Sequence, residues 1–196
     1  MLIYICQDGI QPSGVATYGY HFLKNYPQAL MILLNANTYP PAAPEAIRSR
    51  ILLIPEEEGH SSDFLKDFLL KLTASVKEEI TILPNTGDTP WAAVTKLLRE
   101  ADAQLRSRTR ILGIVHSDME SQYSLAELYW PIAPIWIGVS GRCEEILKKR
   151  IGKRAVAVHK LFYPVAVPEK IAERLSGPVQ ISYVGRLEEP QKKVSR

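Results

Sequence analysis

Cysteine is scarce in this chain of 196 residues, which carries two, Cys6 and Cys143. Neither has a CxxC partner, so no disulfide framework or zinc site can be read, and both are expected as reduced, packed thiols. Long apolar runs are lacking too. No stretch reaches the about 18 residues that mark a membrane span. The opening MLIYICQDG has neither the basic start nor the long apolar core of a secretory signal. The expected location is the cytoplasm, with peripheral contact at the inner membrane face left open. The net charge is only +3, and although the segment from Lys148 onward is the more basic part, no lysine or arginine run argues for nucleic acid. Internal repeats and low-complexity tracts are absent as well.

Several catalytic signatures are also missing. GIQPSG lacks the GxGxxG spacing, which disfavours a dinucleotide cofactor. No Gly-Lys-Ser/Thr follows a glycine-rich loop, and no GxSxG offers a nucleophile elbow. His116 and Asp118 stand two residues apart without a third ligand at a recognisable spacing, so no metal is expected.

What is present is ordinary for a globular protein: 46% hydrophobic and 23% charged residues. A chain of this length buries a core without disulfides or metal. Short apolar runs alternate with helical patterns almost throughout. Residues 2–6, 30–34 and 51–54, ITILPN, RILGIVHS, IWIGVS and VQISYVG read as strands. From Val15 a helix carries Tyr18, Phe22 and Tyr26 on one face. A second is capped by Ser62 or Asp63. A third starts at TGDTPW, with Thr89 as N-cap and Pro90 at the first helical position. Further helices are expected over 144–149, with Ser140 as N-cap, and over 169–175. YPPAAPEAI reads as a connection, 155–167 as extended chain that is irregular near Pro164, and a helix is expected to end at Tyr129 and Trp130, before Pro131.

Strand runs without polar alternation must be covered on both faces. The expected fold is therefore α/β: a Rossmann-like, mostly parallel sheet with helices on both faces. RLSGP (174–178) is the candidate boundary, giving a domain over 1–176 and the opening of a second over 177–196.

Ligands of such sheets bind beyond the carboxyl ends of the strands. Ser13 and Gly14 stand at a helix entry, where free backbone N–H groups and the helix dipole favour an anion. His116 ends a strand, where a cleft role and a structural hydrogen bond weigh about equally. Tyr18, Asn85, Trp91 and Asp118 fall near strand ends or helix starts and border the expected cleft on its acceptor side, although core packing is the default for Trp91.

In order, these segments resemble the retaining GT-B nucleotide-sugar glycosyltransferases of group 1 (family 4). SGVATYGYHFLK resembles the family's Gly-Gly-Val segment, and ILGIVHSD the strand ending in its cleft histidine. IWIGVSGRCEEILKK is similar to the strand, serine and helix that follow, and LFYPVAVPE to the exit from the first domain. ISYVGRLEEPQK resembles the opening of the second domain, with Lys192 six residues after Arg186. The resemblance implies that Gly14 approaches the donor phosphates or sugar, and that His116 contacts the transferred sugar as the catalytic-site residue. It also implies that Arg186 and Lys192 clamp the diphosphate. No metal or other cofactor is then required. Ser13 stands where the family has a first glycine, and Lys193 where it has glycine after the clamp lysine.

The expectation is the N-terminal part of an enzyme that moves a sugar, with retention, from a nucleotide-sugar donor to a glycan, lipid or small-molecule acceptor. The donor domain's Glu-x7-Glu segment and nucleoside pocket are not in this stretch, so the chain alone is expected to be inactive. The alternative is a noncatalytic α/β binding module. A third reading, a sugar-phosphate enzyme such as an epimerase, needs the dinucleotide fingerprint that is missing.

Overall fold

Apolar side chains on both faces of a strand require a cover on each side, and the sheet satisfies that requirement. The computed structural model describes residues 1–6, 14–40, 43–85, 87–155 and 157–162, all within the compact unit Met1–Tyr163. The boundary expected at 176/177, the helix at 169–175 and the last strand lie outside the described residues.

Strand β1 (Leu2–Cys6) leads to helix α1 (Gly14–Asn25) and strand β2 (Ala29–Leu34). A 3-10 helix (Glu45–Arg50) precedes β3 (Ile51–Ile54), and the chain continues through α2 (Glu56–Gly59) and α3 (Ser62–Thr73). Then come β4 (Ile80–Pro84), α4 (Asp88–Glu100), α5 (Ala103–Arg108) and β5 (Thr109–Val115). The described part closes with α6 (Glu120–Tyr129), β6 (Ile135–Gly138), α7 (Gly141–Ile151) and β7 (Ala157–Lys160). The seven strands lie in the order β3-β2-β1-β4-β5-β6-β7, and every pairing is parallel. This is a Rossmann-like α/β fold.

Successive side chains of β1 serve two cores. Ile3 and Ile5 join Leu69 of α3, Trp91 and Val94 of α4 and Leu147 of α7. Tyr4 and Cys6 face the other way, onto Ala16, Tyr18 and Leu23 of α1. Burying each such large side chain contributes about 1.5–3 kcal/mol. The chain therefore leaves β1 toward one face and β4 toward the other. These neighbouring strands form the switch point where a parallel sheet opens a crevice beyond its carboxyl ends.

Local signals set most helix starts, with two shifts. Ser140 caps α7 as expected, accepting from Cys143 N at 3.1 Å, and the helix extends beyond 144–149 at both ends. The cap of α3 is Ser61, not Ser62 or Asp63; its hydroxyl accepts from Phe64 N at 3.2 Å, the reach of an N-cap to the third helical amide. At α4 the N-cap is Gly87, not Thr89, so Pro90 is the third helical residue instead of the first. The first-turn amides have no helical partner in any case, so proline fits any of these positions. Gly87 has φ 99°, a conformation that favours glycine over the expected threonine. The expected proline-rich connection ends in the 3-10 helix, and α6 ends at Tyr129 as expected. No described helix is long and apolar enough to cross a membrane.

Candidate functional site

Tyr4 projects from β1 toward α1, and its hydroxyl gathers three elements at the carboxyl edge of the sheet. It donates to the Val15 carbonyl in the first turn of α1 at 3.0 Å. The Asn85 amide nitrogen, just past β4, donates to the Tyr4 oxygen. His116 Nε2, just past β5, stands 3.5 Å from the same oxygen. Asn85 also continues the ladder, its backbone N–H reaching Ile5 O at 3.0 Å. The Tyr18 ring meets the His116 ring edge-on, with centroids 5.2 Å apart at 78°. Three expected site residues, Tyr18, Asn85 and His116, are thus brought together around a fourth.

His116 is 8% exposed. Burial drives its imidazole down to a pKa of about 3, so it is neutral near pH 7. A base that weak is poorly matched to proton abstraction at neutral pH. Its chemistry is the hydrogen bonding of a neutral ring. Burial, helped by nearby Tyr26, likewise pushes the Tyr18 phenol up, so it stays a neutral hydroxyl.

The loop after β5 is held from α6. Gln122 Oε1 accepts from the backbone amides of His116 at 2.7 Å and Ser117 at 3.2 Å, and its Nε2 donates to Ser117 Oγ at 3.0 Å. One side chain thus fixes the backbone that carries the imidazole. Asp118 accepts from Tyr123 Oη at 3.1 Å and from Arg142 Nε. The Asp118 carboxylate raises the Arg142 guanidinium further, and burial with Cys143 and Asp118 nearby raises the Tyr123 phenol. Behind this loop Arg150 of α7 clasps both carboxylate oxygens of Glu120 at 2.6 Å, in the bidentate geometry that defines orientation.

Trp91 does not join the group. It is 2% exposed and stacks between Tyr129, at 4.9 Å and 15°, and Trp136, at 5.2 Å and 12°, inside the core of the opposite face. Its position at a helix start suggests a cleft; the phase of α4 turns it toward the sheet. Gly14 is the first residue of α1, as an anion-binding entry requires, while Arg186 and Lys192 lie outside the described residues. Among the described residues no group of three His, Cys, Asp or Glu side chains could hold a metal ion. Two surface hollows, of about 510 and 380 Å³, lie elsewhere, beside α5 and at the amino ends of β1 and β4.

Tyr4, Gln122, Tyr123 and Arg142 are the residues that sequence reasoning does not single out. Tyr4 sits inside the apolar run LIYIC, where a tyrosine reads as core, and only its hydroxyl hints at more. The chain matches no family model and no curated protein sequence.

Proposed function

We propose that the chain is the acceptor-side part of a glycosyltransferase that moves a sugar, with retention, from a nucleotide-sugar donor to a hydroxyl-bearing acceptor. The observation that carries this reading is His116, a neutral imidazole at the carboxyl tip of β5 beside the switch point, tied through Tyr4 to the first turn of α1. A neutral ring suits the uncharged hydroxyls of a sugar, and the α1 N-terminus beginning at Gly14 suits the donor phosphates. As the bond from the anomeric carbon to the diphosphate oxygen breaks, negative charge collects on the leaving group. In this reading Arg186 and Lys192 neutralise that charge, so the chemistry does not require a metal. Asp118, with its side chain 31% accessible, is assigned to the acceptor side, while Trp91 acts through packing alone.

The test is a panel of nucleoside-diphosphate sugars offered with candidate acceptors to the full-length enzyme, donor domain included, reading release of nucleoside diphosphate from wild type and His116→Ala. The reading expects transfer from at least one donor and a loss of about a hundredfold or more in the variant. Wild-type rates in His116→Ala remove the residue from the site. Failure of the protein to bind any nucleotide sugar replaces the enzyme with a noncatalytic α/β binding module.

A further inference from the structure

A guanidinium keeps its charge inside a protein, so a half-buried arginine calls for acceptors. Arg108, the last residue of α5, is half-buried and poorly supplied with them. Its Nη2 donates to Thr73 O at the end of α3, at only 3.4 Å. Its Nε is buried and has no acceptor among the described residues. No described carboxylate lies within ion-pair distance of it. Arg108 also lines the hollow of about 510 Å³ beside α5, together with Lys71, whose exposed ammonium is likewise unpaired among the described residues. Leu70, Ala101 and Leu105 give that hollow an apolar wall. Two carboxylates line it as well, and both are engaged. Glu100 pairs with Lys66 at 2.7 Å, and Asp102 accepts the Leu105 amide at 2.7 Å as the cap of α5. The charges left without a partner are both positive.

We propose that this hollow is a binding site for a small organic anion, a carboxylate carried on an apolar body. The carboxylate lies between Arg108 and Lys71, and the apolar body rests on Leu70, Ala101 and Leu105. Binding gives the guanidinium a counter-charge in place of one long bond to a carbonyl, and a carboxylate matches its planar fork. An amine is repelled by the same two cations, and a neutral apolar molecule leaves both unpaired. Inorganic phosphate meets the charges but gains nothing from the wall. Arg108 stands immediately before β5, at the amino edge of the sheet, whereas His116 follows the same strand at the carboxyl edge. The hollow is therefore separate from the candidate site, and its ligand is bound whether or not the protein transfers sugars.

Hexanoate and benzoate, titrated into the 196-residue chain at constant ionic strength, test the site by backbone amide NMR. Saturable shifts are expected at Leu70, Lys71, Leu105 and Arg108, and none of comparable size with hexylamine or inorganic phosphate. Arg108→Met keeps an apolar chain of similar reach and is expected to weaken carboxylate binding about tenfold or more. Its melting temperature without ligand is expected to equal or exceed that of wild type, because an unpaired charge leaves a half-buried place. Shifts that scatter over the surface or never saturate overturn the proposal. Unchanged carboxylate affinity in folded Arg108→Met overturns it too, and with a lowered melting temperature gives Arg108 a structural role alone. Inorganic phosphate moving the same amides as strongly overturns the claim for an apolar body. Should Arg108→Met fail to fold, Lys71→Met, at an exposed position, carries the same test of affinity.

Discussion

Gly19 of α1 lies against the ring of Tyr4 of β1: a Cβ at position 19 would stand 2.8 Å from Tyr4 Cε1 and 2.8 Å from Met31 Cε. The bare backbone lets α1 sit close enough to the sheet for the Tyr4 hydroxyl to reach the Val15 carbonyl. Gly19→Ala adds helix propensity worth up to about 1 kcal/mol, yet it forces the helix outward or the Tyr4 ring aside. The expected balance is a destabilisation of about 1–3 kcal/mol, read as a lowered melting temperature. An equal or higher melting temperature means that the flexible end of Met31 yields and the helix stays in place.

Tyr4→Phe keeps the ring and deletes the hydroxyl, leaving the buried Asn85 amide and His116 Nε2 without that partner. A loss of about 1–3 kcal/mol is expected in denaturant unfolding. The double variant Tyr4→Phe with Asn85→Leu is expected to cost less than the sum of the two single changes, since each removes the same bond. Strict additivity would separate the two residues.

The buried His116 makes stability depend on pH in a definite direction. Its folded pKa, about 3, lies below the ordinary value of 6.5. Above pH 6.5 the ring is neutral in both folded and unfolded chains, and its burial is not opposed by protonation. As pH falls from 6.5 toward 3 only the unfolded chain takes up the proton, and stability is lost at ~1.4 kcal/mol per pH unit. Between pH 6.5 and 5, before most carboxylates titrate, wild type is expected to lose about 1–2 kcal/mol more than His116→Gln. Parallel pH profiles for the two proteins would mean that His116 is not buried as a neutral ring.

Trp91 and Asp118, both candidates for the acceptor side, are expected to behave differently. Trp91→Ala removes the middle of a three-ring stack and is expected to cost about 3–5 kcal/mol of stability. Asp118→Asn keeps the shape but weakens the link to Arg142, whose side chain is 63% accessible, so the stability cost is expected to stay within about 1 kcal/mol. Paired melting curves check both. A mild Trp91→Ala would contradict its place in the core.

Six of the seven described strands were legible because a parallel sheet covered on both faces writes itself as short, uninterrupted apolar runs; β7 lay in a segment read only as extended. Ser140 was legible as a cap because a serine before a helix has a local partner, the amide of Cys143. His116 stood out because it ends an apolar strand at the carboxyl edge of the sheet, although position alone left a cleft role and a structural hydrogen bond equally open. The caps at Ser61 and Gly87 were each misplaced by one or two residues: Ser61, Ser62 and Asp63 are all able to serve first-turn amides, and at α4 the cap is a glycine with φ 99° and no side-chain bond, which a search for a capping side chain passes over.

Sequence alone determined the α/β alternation, the apolar faces and the strand-end position of His116, all of which depend on contacts within one turn or one strand. Tertiary structure decided the rest. The order of the strands placed β1 between β2 and β4, which brings Tyr4 to partners 11, 81 and 112 positions away along the chain. A hydroxyl's role depends on which groups surround it. Those groups converge only after the sheet has assembled, so the same tyrosine in LIYIC reads as core in the sequence and becomes the centre of the candidate site in the fold.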